Sequence, residues 1–445
     1  MDGGIFMSLK RRICNSEFAG LFRWNEEHGR GRRCMLLSAF LSTVVSSIST
    51  GALYTAFLAA HDFSIADASF LGMIPSLAAC FCVLSPVFLE RFQRRRWLLA
   101  GGRLAYYLLQ LLALTLLGIY AKDPTTRLVG FSVILLCSNL INSLFSSGYS
   151  VWHLNFIPVE LRAKYLSYQQ IITTVASIVS LFGFGFLADA LQGTAYEAAI
   201  LTALRFVALG FALLELVILC LPKEYPYPRK EQTIRLSNII RLPLRHKKFL
   251  LTMVVIAMWN FITAFPNSAW TYYLLNDIKT GVTTLNLYYL FTAVCLLFSP
   301  FWRKCLYKLS WFGTFAYCAM VHTPAVVLMA FISPQNYGIV YPIAIFIQAF
   351  VGVGLNLSWS NFPFINTPET DQTYYLSFYT LLSSIGLFLG NAAGAWFVRM
   401  VPDGMTIFSV HFDTPPTMLL VQSILYVGCI AFVLLNNKKL QPNHP

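Results

Sequence analysis

The residues of this chain best suited to chemistry are amides, hydroxyls and aromatic rings set at helical spacing inside apolar runs. Asn139, Asn142, Ser146 and Tyr149 follow one another at steps of three or four, which places them on one helix face. Asn260, Thr263, Asn267 and Trp270 repeat the pattern, and Gln348, Asn356 and Trp359 give a sparser version. Thr43, Ser46, Ser47, Thr50 and Tyr54 form a fourth set. Such side chains facing a cavity hydrogen-bond to, and stack on, a neutral or zwitterionic polar solute. The competing reading is helix packing, because small polar residues also join helices inside membranes. Packing is the stronger reading for the Ser and Thr of the fourth set, and a cavity for Asn142, Asn260 and Trp359. The predicted substrate-binding set is Asn139, Asn142, Tyr149, Asn260, Thr263, Gln348, Asn356 and Trp359.

Bond-making chemistry has little support. His61-Asp62 and His411-Phe412-Asp413 come nearest to a catalytic or metal cluster, and both read as ordinary loop residues. Ten cysteines include no CxxC pair, which argues against a zinc site or disulfide framework. No cofactor, metal or enzymatic activity is expected.

These polar faces must be carried by membrane-spanning helices. Charged residues make up 11% of the 445 positions and apolar ones 57%, against about 25% charged in soluble domains. Twelve runs are long enough to span a bilayer: 34–59, 68–90, 97–120, 128–154, 168–190, 198–221, 249–275, 285–302, 311–332, 337–363, 375–400 and 414–436. A spanning β-strand needs only about ten alternating residues, so the runs are helices.

Placing the N-terminus inside leaves only Lys122, Arg127, Lys279 and Arg399 in outside loops, with Arg103 and Arg205 inside spans; every other Lys and Arg falls on the inside. That bias predicts both termini in the cytoplasm. The net charge of +13 is therefore a topology signal and not a nucleic-acid footprint. The basic break at 223–248 divides the chain almost in half. The expected organisation is an all-α membrane protein with a cytoplasmic segment 1–33, a six-helix bundle 34–222, a basic linker 223–248, a second bundle 249–436 and a tail 437–445. The first segment reads equally as an interfacial amphipathic helix or a disordered basic tail, and a short amphipathic piece is expected around Ile234–Leu242.

An internal repeat supports two bundles. Ser85-Pro86 followed by Trp97 recurs as Ser299-Pro300 followed by Trp311. Pro158 with Tyr165-Leu166-Ser167-Tyr168 recurs as Pro368 with Tyr375-Leu376-Ser377-Phe378. Both matches lie roughly 210 residues apart, as duplicated six-helix halves require.

The arrangement resembles the major facilitator superfamily from about residue 34 to 436. After the second span that family has Gly-x-x-x-Asp-Arg-x-Gly-x-basic-basic; here the stretch reads Pro86-Val-Phe-Leu-Glu90-Arg91-Phe-Gln93-Arg94-Arg95-Arg96. The acid, its Arg and the basic pair match, and both glycines are replaced. Lys304 stands at the corresponding acid position of the second half. The resemblance implies alternating access, a conformational latch of Glu90, Arg91, Arg95 and Arg96, and a cavity lined by the first, second, fourth and fifth spans of each half. It also implies that the third and sixth spans face lipid. Drug–proton antiporters of the family carry Gly-Pro in span five and an Arg within span four; here span five lacks Gly-Pro and Arg127 lies at the outer edge of span four.

Ionisable residues inside spans cost a few kcal/mol each on insertion scales, so each needs a reason. Arg103 and Glu215 sit at similar depth and are expected to pair; Arg205 is expected to snorkel outward, and His322 to be neutral. No Asp or Glu lies mid-span on a predicted cavity helix, which leaves uniport, exchange, or coupling through Glu90, Asp189 or His322 open. The expected function is secondary transport of a small polar organic solute. Lipophilic-compound efflux is one alternative, and a polytopic enzyme or a non-transporting sensor another. The partners are the solute and membrane lipid, with no nucleic acid, for a monomer in a bacterial cytoplasmic membrane.

Overall fold

The computed structural model describes residues 28–89, 91–92, 94–154, 156–157, 161–222, 236–368, 372–407 and 409–441. Glu90 of the predicted latch lies outside them, as do residues 1–27, 223–235 and 442–445 of the predicted terminal and linker segments.

Among the described residues, the regular structure is helical apart from a hairpin of β1 (Met405–Ile407) and β2 (Val410–Phe412). Lipid offers no partner to backbone N–H and C=O groups, so each spanning segment must satisfy its own. The first half comprises α1 (Gly29–Ser49), α2 (Gly51–Ala59), α3 (Ile65–Ala79), α4 (Ser85–Leu89), α5 (Arg96–Tyr107), α6 (Leu114–Tyr120), α7 (Pro124–Leu154), α8 (Arg162–Asp189) and α9 (Glu197–Cys220). The short helix α10 (Leu236–Arg241) follows, where the sequence suggests an amphipathic piece. The second half holds α11 (Lys247–Ala264), α12 (Asn267–Asn276), α13 (Val282–Leu285), α14 (Leu287–Cys295), α15 (Ser299–Met329), α16 (Tyr337–Trp359), α17 (Gln372–Met400) and α18 (Thr414–Leu435).

Among the described residues, eleven segments are long and apolar enough to cross a membrane. Ten correspond one to one with predicted spans. The eleventh, Val282–Met329, contains 48 residues and covers two predicted spans. Its path turns at Ser310, whose φ is 68° and ψ 173°.

Several spans are broken where polar residues gather. The first changes direction between α1 and α2: Thr50 is extended at φ −133° and ψ 176°, and Gly51 takes φ +65°, a left-handed value that glycine adopts without penalty. The segment Lys247–Asn276 breaks at Phe265-Pro266, where the proline has no N–H for the ladder. Cys80–Leu84 and Leu296–Phe298 are each a 3₁₀ turn, and each precedes one of the two Ser-Pro pairs. A π turn at Leu108–Ala113 separates α5 from α6; such bulges are frequent at functional sites.

Within the halves, α9 packs along α1 and α17 along α11. The second contact depends on Gly386, Gly390 and Gly394. A Cβ on any of them would collide with the backbone of Ala257, Phe261 or Phe265, so this stripe of small residues sets the approach of the two helices. Between the halves, α3 lies against α17 and α12, while α8 meets α13.

Candidate functional site

The seam between the halves is closed at the end remote from the start of α1 and the end of α18. Asp189, the last residue of α8, accepts from the N–H groups of Val282 (2.6 Å) and Thr283 (2.9 Å). The Tyr272 hydroxyl donates to the Phe63 carbonyl at 2.9 Å, and Asn286 Nδ2 to the Leu181 carbonyl at 3.0 Å. Asn391 Nδ2 donates to Ser76 Oγ at 3.0 Å, joining α17 to α3.

Beneath this closure lie two connecting cavities. One, of about 420 Å³, is lined by Ser46, Thr50, Arg103, Tyr106 and Asn142 of the first half. The other, of about 470 Å³, is lined by Thr263, Trp270, His322, Gln348, Gln422 and Tyr426 of the second. They share Gly51, Ala52, Asn286 and Tyr289, and so form one space between the halves. A third volume of about 430 Å³ shares Thr43, Ser177 and Tyr289 with the first. It extends past Gln170 and Asn356 toward the end where α1 starts, and there the Tyr165 hydroxyl donates to the Arg32 carbonyl at 3.0 Å.

Four of the eight predicted substrate residues line this space: Asn142, Thr263, Gln348 and Asn356. Thr263 Oγ1 donates to the Trp259 carbonyl of its own helix, and Gln348 Nε2 lies 2.9 Å from Met329 Sδ. The other four are directed elsewhere. Asn139 Nδ2 donates to the Leu135 carbonyl one turn back, at 2.8 Å. Asn260 donates to Ser383 Oγ at 2.6 Å and joins α11 to α17. Trp359 stacks at 6.3 Å on Phe315. Tyr149 donates to the Leu99 carbonyl at 3.1 Å and faces a smaller side cavity with Arg103, His153 and Glu215. Of the predicted latch, Arg91 is exposed, Arg95 Nε donates to the Phe92 carbonyl at 2.9 Å, and Arg96 lies over the Trp97 ring.

The expected pairing of Arg103 with Glu215 is present, with Nε 3.6 Å from Oε2. Glu215 is 2% exposed and also accepts from Ser38 Oγ (2.6 Å) and the Tyr107 hydroxyl (3.1 Å). Two other expectations are corrected. Arg103 and His322, placed at the lipid-facing periphery by the span-by-span rule, both line the cavity, and Gln422 and Tyr426 of α18 join them. The third spans and the last span therefore reach the centre. Arg205 does not snorkel: it is 2% exposed, donates to Thr115 Oγ1 at 2.7 Å and to the Gln110 carbonyl, and lies 4.5 Å from the centre of the Phe57 ring. Its acceptors sit in or beside the π turn, Gln110 within it and Thr115 two residues past its end. The signal for Arg103 and His322 was their cost inside a membrane; the rule about which spans line the cavity overrode it.

Among the described residues, no group of three or more His, Cys, Asp or Glu is placed to hold a metal ion. The described cysteines, Cys34 to Cys429, are all free thiols.

No curated protein matches the chain by sequence. Solved structures match its fold over nearly the whole length. The nucleoside transporter NupG, crystallised as a point mutant, has a TM-score of 0.71 at 11% identity, covering 91% of this chain and 99% of that one. The xylose transporter XylE from E. coli, in an inward-open conformation, has a TM-score of 0.62 at 14% identity, covering 91% and 95%. A bacterial homologue of the iron transporter ferroportin, in an inward-facing state, has a TM-score of 0.61 at 14% identity, covering 90% and 98%. A family profile matches residues 35–391. Helices, cavity, fold likeness and profile agree on a membrane transporter and not an enzyme: the chain belongs to the Major Facilitator Superfamily.

Proposed function

We propose that this protein carries a small polar organic solute across the membrane by alternating access. Twelve spans in two six-helix halves rock about a central site. The 48-residue segment is read as two spans, because a continuous helix of that length would reach about 72 Å, more than twice the hydrocarbon thickness. The matching breaks of the first span in each half, and the matching 3₁₀ turns before the two Ser-Pro pairs, support a duplicated architecture.

The observation that carries this reading is the single cavity shared by both halves, closed at one end and lined by amides, hydroxyls and aromatic rings. Neighbouring structures named for nucleoside and xylose transport support a polar cargo over a lipophilic one. Asn142, Thr263, Gln348 and Asn356 are the proposed solute contacts. With the termini in the cytoplasm of a bacterial cell, as the distribution of Lys and Arg favours, the conformation described is inward-facing.

The test is reconstitution of the protein into liposomes, followed by counterflow with radiolabelled nucleosides, sugars, amino acids and organic acids. Crosslinking a Gln192→Cys, Thr280→Cys pair with a reducible bifunctional thiol reagent, the parent residues being joined at 3.4 Å by a side-chain to backbone bond, should stop transport, and reduction should restore it. Transport that persists with the far end locked would overturn alternating access. Counterflow restricted to lipophilic cations would overturn the polar cargo.

A further inference from the structure

Charge is scarce around the central cavity. Among the described residues, the lining of the three connected volumes holds no Asp, Glu or Lys, and Arg103 carries the one permanent charge. Resting on the transporter reading above, we propose that Arg103 anchors the anionic group of the cargo, and that the cargo is a small organic anion of the carboxylate class.

The geometry around Arg103 favours an incoming partner. A guanidinium offers five N–H donors in a planar fork that matches a carboxylate edge. Among the described residues Arg103 donates no hydrogen bond, and its approach to Glu215 is one Nε contact at 3.6 Å. Glu215 is engaged elsewhere, accepting from Ser38 on one oxygen and Tyr107 on the other. The rings of Tyr107 and Tyr149 lie 5.0 and 5.2 Å from the guanidinium carbon and hold its plane. Arg103 thus lines the central cavity on one side and the side cavity with Glu215 on the other.

The broken first span adds hydrogen-bond donors. Thr50, Gly51 and the first residue after it, Ala52, line the same cavity as Arg103. The start of α2 has no side-chain cap, and the Thr50 hydroxyl donates back to the Ser46 carbonyl at 2.8 Å. The opening turn of a helix leaves N–H groups without intrahelical partners. Its partial positive charge is offset by the last carbonyls of α1, whose Ser47 and Ser49 line the same cavity, so the break supplies hydrogen-bond donors and Arg103 supplies the charge. A cation and a helix start converge on a space that contains no acid. A neutral cargo would need neither, and Glu215 alone would be satisfied by a guanidinium held away from the cavity.

The experiment compares matched solutes on the full chain in lipid nanodiscs, by calorimetry or thermal shift: benzoate with benzamide, phenylacetate with phenylacetamide, lactate with lactamide, and uridine and xylose as neutral references. At least one carboxylate should bind ten-fold or more tighter than its amide. Arg103→Gln should abolish that discrimination. Glu215→Gln, which keeps the cation and removes its internal competitor, should tighten carboxylate binding several-fold, and it carries the test where Arg103→Gln fails to fold. Absence of carboxylate binding, equal binding of acid and amide, or weaker carboxylate binding by Glu215→Gln each overturns the assignment. Counterflow separates the two readings. Movement of neutral solutes with carboxylates excluded removes the anion site and leaves the transporter. Carboxylate binding with no movement of any solute removes the transporter and leaves the site.

Discussion

Asp189 and Val282 form the tightest polar link between the two halves: the carboxylate at the end of α8 accepts the Val282 N–H at 2.6 Å and, through its second oxygen, the Thr283 N–H at 2.9 Å. Gly281 precedes them, and a Cβ there would strike the Asp189 carboxylate. The arrangement is a helix cap formed across a domain seam, with charge and geometry both matched to the first amides of α13.

Replacing Asp189 with Asn removes the charge and one acceptor while preserving shape. Hydrogen bonds to a charged acceptor contribute about 1.5–3 kcal/mol, so the far-end closure should weaken by about 1–2 kcal/mol at this half-buried site. The expected result is a shift toward the state open at that end. It is read as a longer distance between spin labels on Gln192→Cys and Lys279→Cys in a background without native cysteines. An unchanged distance distribution would show that the other seam contacts suffice.

Arg205 is a structural cation, and its loss should be felt in stability. It joins α9 to the π turn through the Gln110 carbonyl and Thr115, and it packs on Phe57 of α2. Arg205→Met keeps most of the volume but takes a charged donor from a buried hydroxyl and a carbonyl, at a cost of about 1–3 kcal/mol. Arg205→Lys should fall between, because an ammonium lacks the fork that reaches both acceptors. Thermal unfolding in detergent checks the order; equal midpoints for all three proteins would contradict it.

Helix positions were legible because hydropathy and the spread of Lys and Arg are properties of the chain itself. What the sequence withheld were choices among neighbours. Periodicity puts Asn260 and Thr263 on one face of α11, but that face meets both α17 and the cavity. Asn260 is taken by Ser383, and Thr263, one turn nearer the break at Pro266, reaches the open space. Asn139 similarly turns back onto its own helix, while Asn142 remains at the cavity. The break at Thr50-Gly51 carries no proline to announce it, and only φ +65° at Gly51 reveals it. Arg103 was read correctly as the partner of Glu215 and wrongly as peripheral, since depth in the membrane follows from sequence while rotation about the bundle axis does not.

The glycine stripe on α17 makes a sharper stability prediction. Gly390 faces the Phe261 carbonyl and the Ala264 side chain with no room for a Cβ. Gly390→Leu should force α17 away from α11 and break the Asn260–Ser383 bond beside it, costing about 1–3 kcal/mol or more by overpacking. Gly428→Leu on α18, where a Cβ would meet nothing within 4 Å, is the control and should be tolerated. Size-exclusion profiles and melting midpoints of the two variants decide; similar behaviour would mean that the stripe does not set the packing.

Asp277 gives the pH dependence. It follows the last residue of α12, outside the spanning segment, and partial burial together with the charge of Asp413 raises its pKa above the ordinary carboxylate value. A raised folded-state pKa means that the native protein binds this proton more tightly than the unfolded chain does. Its contribution to stability is therefore full below the unfolded value of about 3.9 and is lost as pH rises through the folded value. At neutral pH the ionised carboxylate opposes folding. Asp277→Asn should accordingly melt higher than the parent at pH 7, and the difference should close as pH falls toward 4. Asp413→Asn should narrow the same difference at pH 7, because it removes the neighbouring charge; the comparison is made within the Asp413→Asn background, so the altered bond from the Tyr273 hydroxyl, now 3.2 Å from Asp413 Oδ2, is common to both proteins. A gap between parent and Asp277→Asn that holds constant from pH 4 to 7 would show that the Asp277 pKa is not raised, and a gap that Asp413→Asn leaves unchanged would show that the two carboxylates do not interact.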